Sequence, residues 1–372
     1  MKTRKFEKLG IETSLLGFGC MRFPVNEEGK IDRVRAEKMI DEAIANGVNY
    51  IDTAYPYHEG ESELFVGEVL KKYPRDSFYL ATKMPTFGQM QCAEDAPKLF
   101  NEQLNKLQVD YFDFYLVHCI TKKVWEEKVV PFGVVEYLLE MKKQGKIKYL
   151  GFSFHDDYEV FETVLNAYDW DFCQIQYNYM DTDIQAGDKG YELATSKNIP
   201  IIVMEPIKGG SLANLPEDIT NVFKEYNGAS ASSWALRWVA THENVKVILS
   251  GMSTEEHVKD NLNTFNLERV ELNEEELQVV DNVKKAILAR TKNGCTGCRY
   301  CMPCPFGVNI PRNFSIWNNS SMYGQLENGK KRYAALNEAQ ASSCKDCGKC
   351  ETLCPQHIKI REDLKKVVQD LG

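Results

Sequence analysis

Short apolar runs recur along the first two-thirds of the chain at intervals of roughly 30 residues, and amphipathic stretches fill the gaps. The runs are "LLGFGC" from Leu15, "VNYIDT" from Val48, "FYLATK" from Phe78 and "FDFYLVH" from Phe112, then "YLGFS" from Tyr149, "FCQIQYN" from Phe172, "IPIIVM" from Ile199 and "VKVILSG" from Val245. Their continuous apolar character suits strands covered on both faces, as in a parallel sheet. Between them the apolar positions take a helical period. In "VRAEKMIDEAIANG", Ala36, Ile40, Ala43 and Ile44 share a face and Gly47 supplies the stop. "AEDAPKLFNEQLNKLQ" groups Phe100, Leu104 and Leu107, and "GVVEYLLEMKKQGK", "YEVFETVLNAY" and "ASASSWALRWVATH" repeat the spacing. Eight strands alternating with helices predict an α/β fold, a (β/α)8 TIM barrel. A doubly wound sheet is the competing arrangement, but no G-x-G-x-x-G follows the first strand. After the eighth strand, Ser253 and Glu256 in "STEEHVKDNL" have capping-box spacing, and "NEEELQVVDNVKKAI" predicts a helix capped by Asn273. "ARTKNG" reads as a linker, which sets a barrel at 1–288 and a small domain at 289–372.

Composition narrows the function classes. A length of 372 residues with 43% hydrophobic and 27% charged residues suits one large domain with a full core plus a small one. The net charge of -9 argues against a nucleic-acid partner, which needs a basic surface. The N-terminus lacks the apolar stretch of a signal peptide, and no apolar run is long enough to span a bilayer, so the expected setting is cytoplasmic with no membrane partner. The 12 cysteines are uneven: Cys20, Cys92, Cys119 and Cys173 are scattered, and the other eight fall between 295 and 354. Disulfide frameworks belong to small secreted chains, so the cluster points to a metal or iron–sulfur centre. Cys20, Cys119 and Cys173 lie on or beside strands and are expected to be buried small hydrophobes.

In a barrel the chemistry collects at the C-terminal ends of the strands. The second strand ends at Asp52 with Tyr57 five residues on, the third at Lys83, the fourth at His118 and the fifth at Ser153. The sixth carries Gln174 and Gln176, and the seventh leads into "MEPIKGG". Aspartate, tyrosine, lysine and histidine so placed make a proton-transfer device. A lysine ammonium beside a phenol lowers the phenol's pKa, an aspartate holds the lysine charged, and a histidine orients a carbonyl by a hydrogen bond.

"IDTAYPYHEGESE", Thr82–Lys83, "LVH" at Leu116–His118 and "GFS" at Gly151–Ser153 resemble the aldo-keto reductase family, in order, over about 1–285. The resemblance implies an extended NADP or NAD cofactor bound without a Rossmann motif, and a small carbonyl or alcohol substrate. It makes Tyr57 the general acid, Lys83 its pKa-lowering partner, Asp52 the support of Lys83 and His118 the carbonyl-orienting residue. Ser153 and Gln174 match positions that hold the cofactor carboxamide. "SGMSTEEHVKDNL" matches the segment over the adenosine phosphate, with Gly251, Ser253, His257 and Asn261 in that neighbourhood. Two departures stand out. Phe154 occupies the usual position of an asparagine, and Met204 that of an aromatic on the nicotinamide. No lysine or arginine is seen for a 2′-phosphate, so NAD and NADP both stay open.

The tail reads "CTGCRYCMPCP" and "CKDCGKCETLCP". These motifs resemble the two-cluster ferredoxin pattern, in which three close cysteines bind one 4Fe-4S cluster and the fourth binds the other. That crossing implies Cys295, Cys298, Cys301 and Cys354 for one cluster, and Cys344, Cys347, Cys350 and Cys304 for the second. The first motif is one residue short before Cys304, which predicts a tight turn at Met302–Pro303. Zinc is the rival metal, although tetrahedral zinc calls for two pairs rather than two triads each trailed by Cys-Pro. The segments between the motifs read as helices, and the whole resembles aldo-keto reductases with a fused, mainly α-helical ferredoxin-like domain. Three roles for the clusters stay open: electron relay beside carbonyl chemistry, electron transfer to a redox partner protein with the barrel as scaffold, and structural support of a small domain.

Overall fold

A computed structural model describes residues 1–372 and holds ten strands. They are β1 (Thr3–Phe6), β2 (Ile11–Ser14), β3 (Leu16–Gly19), β4 (Tyr50–Asp52), β5 (Tyr79–Met84), β6 (Phe112–Ile120), β7 (Ile147–Phe154), β8 (Phe172–Gln176), β9 (Ile201–Met204) and β10 (Val245–Ser250). β3 to β10 are the eight strands read from the sequence. They pair in parallel and close in the order β10-β3-β4-β5-β6-β7-β8-β9, so the expected barrel is present. The main core fills the layer between strands and helices, with Met39, Phe65, Phe100, Phe152, Trp170 and Leu236 among its buried members.

The helix Arg33–Ala45 buries Ala36, Met39, Ile40 and Ala43, and Asp32 caps it by accepting from the Arg35 N–H at 3.2 Å. The helix Asp95–Leu107 buries Leu99, Phe100 and Leu107. The helix Glu61–Leu70 was not anticipated, because it buries Ser62 and Glu63 beside Phe65, Val66 and Val69, and two buried polar positions spoil its apolar period. The cap of the helix Glu255–Phe265 corrects the capping-box expectation by one residue. Thr254, not Ser253, accepts from the His257 N–H, at 3.3 Å.

β1 and β2 form an antiparallel hairpin that the sequence reading missed, since "TRKFEKLGIETS" carries few apolar residues. Its Phe6 is fully buried inside the barrel with Tyr50, Phe114, Phe172 and Val247. Arg4 fixes the hairpin by donating to the His242 carbonyl at 2.8 Å and the Val245 carbonyl at 2.6 Å.

Two compact units divide the chain, one of Met1–Gly209 with Ser232–Glu274, the other of Gly210–Ala231 with Glu275–Gly372. In the second, the helices Ile310–Met322, Leu326–Ala334 and Ile360–Leu371 enclose Phe314, Trp317, Tyr333, Leu364 and Val367. Arg290 of this unit pairs with Asp218 at 2.7 Å. No helix of the chain is long and apolar enough to cross a membrane.

Gly67 marks a close approach of the helix Glu61–Leu70 to the end of the helix Asp95–Leu107. A Cβ there would lie 2.8 Å from the Leu107 Cα and would collide with the Lys106 carbonyl. Alanine would gain about 1 kcal/mol in helix propensity, but the obstacles are backbone atoms, and overpacking costs about 1–3 kcal/mol. Gly67→Ala is therefore expected to lower the unfolding midpoint in urea, and an unchanged or raised midpoint would refute the close-packing argument.

Candidate active site and cysteine recesses

The strand ends assemble the predicted polar set. Asp52 closes β4, Lys83 is the next-to-last residue of β5 and His118 lies near the end of β6. There β6 shifts register against β7 between Val117 and Ile120. Within the irregularity Cys119 has a φ of 54°, left-handed backbone that side-chain-bearing residues seldom adopt. Its N–H donates to the Ser153 Oγ at 2.8 Å, which ties the end of β6 to β7. Tyr57 opens a tight turn after β4 in which His58, Glu59 and Gly60 all have positive φ. That turn brings the Tyr57 hydroxyl against Lys83.

Lys83 is 1% exposed. Its ammonium donates to the Asp52 Oδ1 at 2.6 Å, the Thr53 carbonyl at 2.7 Å and the Tyr57 hydroxyl at 3.5 Å. An ammonium has three donors, and all three are used. Burial works against the Lys83 charge, but Asp52 and Tyr57 together outweigh it and hold its pKa above the ordinary value. Lys83 acts on Tyr57 in the expected direction, pulling its pKa down. Burial pushes the phenol up, and the opposing pull of Lys83 does not overcome it. Tyr57 is thus a phenol at neutral pH, with the ammonium beside it to receive negative charge when its proton leaves.

His118 is buried, and burial reinforced by Lys83 drives its pKa well down, so its imidazole is neutral. Its ring lies 6.1 Å from the Tyr57 ring at 79°, and Phe87 packs on it at 4.9 Å. Cys20 and Cys173 are buried as expected, whereas Cys119 is half-exposed. Burial, reinforced by Asp52, pushes the Cys20 thiol well up, leaving it an un-ionised filler near Asp52 and Lys83.

Sequence reasoning passed over the support of Lys83. Glu63 is fully buried and accepts from the Thr82 hydroxyl at 2.7 Å and the Gln103 amide at 2.6 Å. The same Gln103 amide donates to the Lys83 carbonyl at 3.0 Å, and Tyr115 donates to Gln103 at 2.5 Å. Glu63 stands six residues after Tyr57, so one segment supplies both the phenol and an anchor for the lysine strand. The available signal was a glutamate among apolar residues in "SELFVG".

The candidate nucleotide contacts fall into two groups. Ser153, next to the end of β7, and Gln174, in the middle of β8, are buried neighbours across the sheet, and the Gln174 amide donates to the Met204 sulfur at 3.5 Å. Gln174 Oε1 is buried without a partner. A buried acceptor in need of a donor, beside a serine whose oxygen is taken but whose proton is free, fits a carboxamide such as that of nicotinamide. Gly251, Ser253 and His257 gather at the start of the helix Glu255–Phe265, where the Ser253 N–H donates to His257 Nδ1 at 3.3 Å. Asn261 is turned inward and donates to the Ser250 hydroxyl at 2.8 Å. Gln176 is engaged elsewhere, donating to Asp181 at 2.8 Å.

In the second unit the eight tail cysteines form no disulfide and rim two recesses. Cys295, Cys298, Cys301 and Cys354 line one. Cys304, Cys344, Cys347 and Cys350 line the other, with Cys301 reaching its edge. No group of three or more His, Cys, Asp or Glu side chains converges tightly enough for a single metal ion. Four thiolates around each opening suit the larger span of an iron–sulfur cube. The Met302–Pro303 peptide in the shortened motif is cis.

Residues 15–285 match the aldo/keto reductase family, and residues 294–358 match a 4Fe-4S dicluster domain. The barrel is similar to the holo form of an aldo-keto reductase from Bacillus halodurans, with a TM-score of 0.64 and 26% identity over 76% of this chain and 96% of that one. Among curated relatives, a probable aldo-keto reductase of Glycine max is 33% identical over 39% of this chain and 42% of its own length. The NADH-specific methylglyoxal reductase of Escherichia coli is 26% identical over 64% of this chain and 85% of its own.

The opposed effects of burial and Lys83 on Tyr57 can be read directly. With carbon-13 at the tyrosine Cζ, the Tyr57 resonance is expected to titrate above about 10, the ordinary tyrosine value. Lys83→Met removes the one cationic neighbour and is expected to move that step higher still. A downward move would show that Lys83 is not what holds the phenol's pKa in check.

Proposed function

We propose that this chain, which belongs to the aldo/keto reductase family and carries a C-terminal 4Fe-4S dicluster domain, reduces a small carbonyl compound with a nicotinamide cofactor and runs the reverse alcohol oxidation. The observation that carries the reading is the buried Asp52–Lys83–Tyr57 chain with neutral His118 beside it. The name of the Escherichia coli relative supports the direction, since it couples a nicotinamide to a short carbonyl substrate.

A nicotinamide bound here supplies hydride to the carbonyl carbon. The chain's residues manage the oxygen. His118, neutral, donates a hydrogen bond that orients the carbonyl. Tyr57 donates its proton as negative charge grows on that oxygen. Lys83, kept charged by Asp52, stabilises the phenolate left behind, which lowers the barrier to a transfer that burial alone would oppose. Ser153 and Gln174 hold the cofactor carboxamide, and Met204 offers a polarizable sulfur beside them. The segment with Gly251, Ser253, His257 and Asn261 closes on the adenosine end. Equilibrium binding of NADH and NADPH to the anaerobically purified protein decides between the two.

The tail cysteines would hold two 4Fe-4S clusters in the crossed arrangement, and the clusters would supply one-electron transfer. The partition of the eight cysteines between two recesses supports the crossing.

Two outcomes test this reading. Tyr57→Phe is expected to cut carbonyl reduction by at least about a hundredfold, the usual worth of a general acid, with nicotinamide binding retained; unimpaired reduction would remove Tyr57 from the chemistry. For the crossing, Cys298→Ala with Cys354→Ala should still hold one cluster of about four irons, because both changes strike the same centre. Cys347→Ala with Cys354→Ala should lose both. The reverse pattern of iron and sulfide contents would show that each motif serves its own cluster.

A further inference from the structure

The cysteine tail is charged unlike the rest of the chain. Residues 289–372 hold 13 Lys and Arg against 7 Asp and Glu, whereas residues 1–288 hold 32 against 47. Several basic side chains near the recesses are neutralised locally. Arg361 pairs with Glu351 at 2.9 Å and approaches Asp346 at 3.7 Å, Lys365 pairs with Asp346 at 3.1 Å, and Lys359 lies 3.9 Å from Glu362. Three others are not. Arg299, Lys345 and Lys349 are exposed and make no ion pair. Each stands between two candidate ligand cysteines: Arg299 between Cys298 and Cys301, Lys345 between Cys344 and Cys347, Lys349 between Cys347 and Cys350.

The same loops expose apolar surface. Tyr300 is 68% exposed, Phe306 43% and Leu353 45%. Phe306 and Leu353 line the recess of Cys304, Cys344, Cys347 and Cys350. Cys298 and Cys347 are themselves exposed. Lys349 lines the same recess as Phe306 and Leu353, and Arg299 lines the other; exposed apolar side chains beside cations that make no ion pair suit a brief encounter guided by charge. Weak redox encounters bury little area, and their rates are set by electrostatic complementarity.

We propose that the cysteine loops of the tail are the docking surface for a small acidic one-electron carrier protein, with Arg299, Lys345 and Lys349 as the guiding charges. The proposal rests on the reading that the tail holds redox-active clusters. The exchange is one electron: the reduced carrier loses it, an oxidised cluster gains it, and no bond or proton moves. An anionic membrane would satisfy the same charges, but it supplies no electron to a cluster.

The test uses the anaerobic, cluster-loaded full chain, mixed with an acidic flavodoxin in its reduced form while cluster bleaching is followed by stopped flow. Raising salt from about 0.01 M to about 0.15 M shortens the screening length from about 30 Å to about 8 Å. The bimolecular rate should fall on the order of tenfold, as for a steered encounter. The triple change Arg299→Ala, Lys345→Ala, Lys349→Ala should slow the low-salt reaction by a similar factor and flatten its salt dependence. Reduction by the methyl viologen radical cation, which the same charges repel, should not slow. If the triple variant loads clusters poorly, Lys345→Glu replaces it, since Lys345 lies outside both recess linings; a several-fold slowing is expected.

Four results would overturn the docking proposal while leaving the clusters in place. They are a wild-type rate indifferent to salt, a variant as fast and salt-sensitive as wild type, a variant with a shifted cluster potential but an unchanged flavodoxin rate, and low-salt self-association that accounts for the salt effect. A protein that binds no iron and sulfide would instead remove the cluster reading on which the proposal stands.

Discussion

One buried charge sets the terms for the barrel. Lys83 has almost no contact with water, and a buried ammonium persists only when its donors are met at close range. Asp52, the Thr53 carbonyl and the Tyr57 hydroxyl meet them. Two of those acceptors come from the end of β4, and the third comes from a turn that reverses through three residues of positive φ. Behind Lys83, its carbonyl and its neighbour Thr82 are held by Gln103 and Glu63. The ammonium therefore fixes the relative placement of β4, β5 and the helix Glu61–Leu70. A catalytic requirement and a packing requirement are met by the same atoms.

The barrel was legible because its strands are buried on both faces and so read as unbroken apolar runs. The polar residues at their ends were legible for the complementary reason, that each interrupts such a run where the strand stops. What the sequence hid depends on burial, which no local pattern reports. The hairpin β1–β2 contributes a single buried aromatic to the barrel interior and otherwise looks like a charged terminus. The helix Glu61–Leu70 escaped notice because Glu63 faces inward, against the rule that glutamate faces water. The pull of Lys83 on the Tyr57 pKa is visible in sequence; the larger, opposing effect of desolvation is not.

The tail shows a different kind of legibility. Cysteine spacing carried the metal chemistry, and the resemblance carried the crossing. The partition of eight thiols between two recesses needed three dimensions. So did the position of Cys301, at the rim of one recess and within reach of the other. The charges between the cysteines were present in the sequence all along, but only the ion pairs of Arg361 and Lys365 reveal which of them remain unspent.

The hairpin also bears on traffic. Phe6 sits within the barrel among Tyr50, Phe114, Phe172 and Val247, and Arg4 bolts the strand that carries it to the carbonyls of His242 and Val245. The hairpin thus adds to a barrel interior already filled by side chains, with Tyr57 and His118 at the C-terminal ends of the strands. Traffic along the barrel's long axis is therefore blocked, because its interior is packed rather than open.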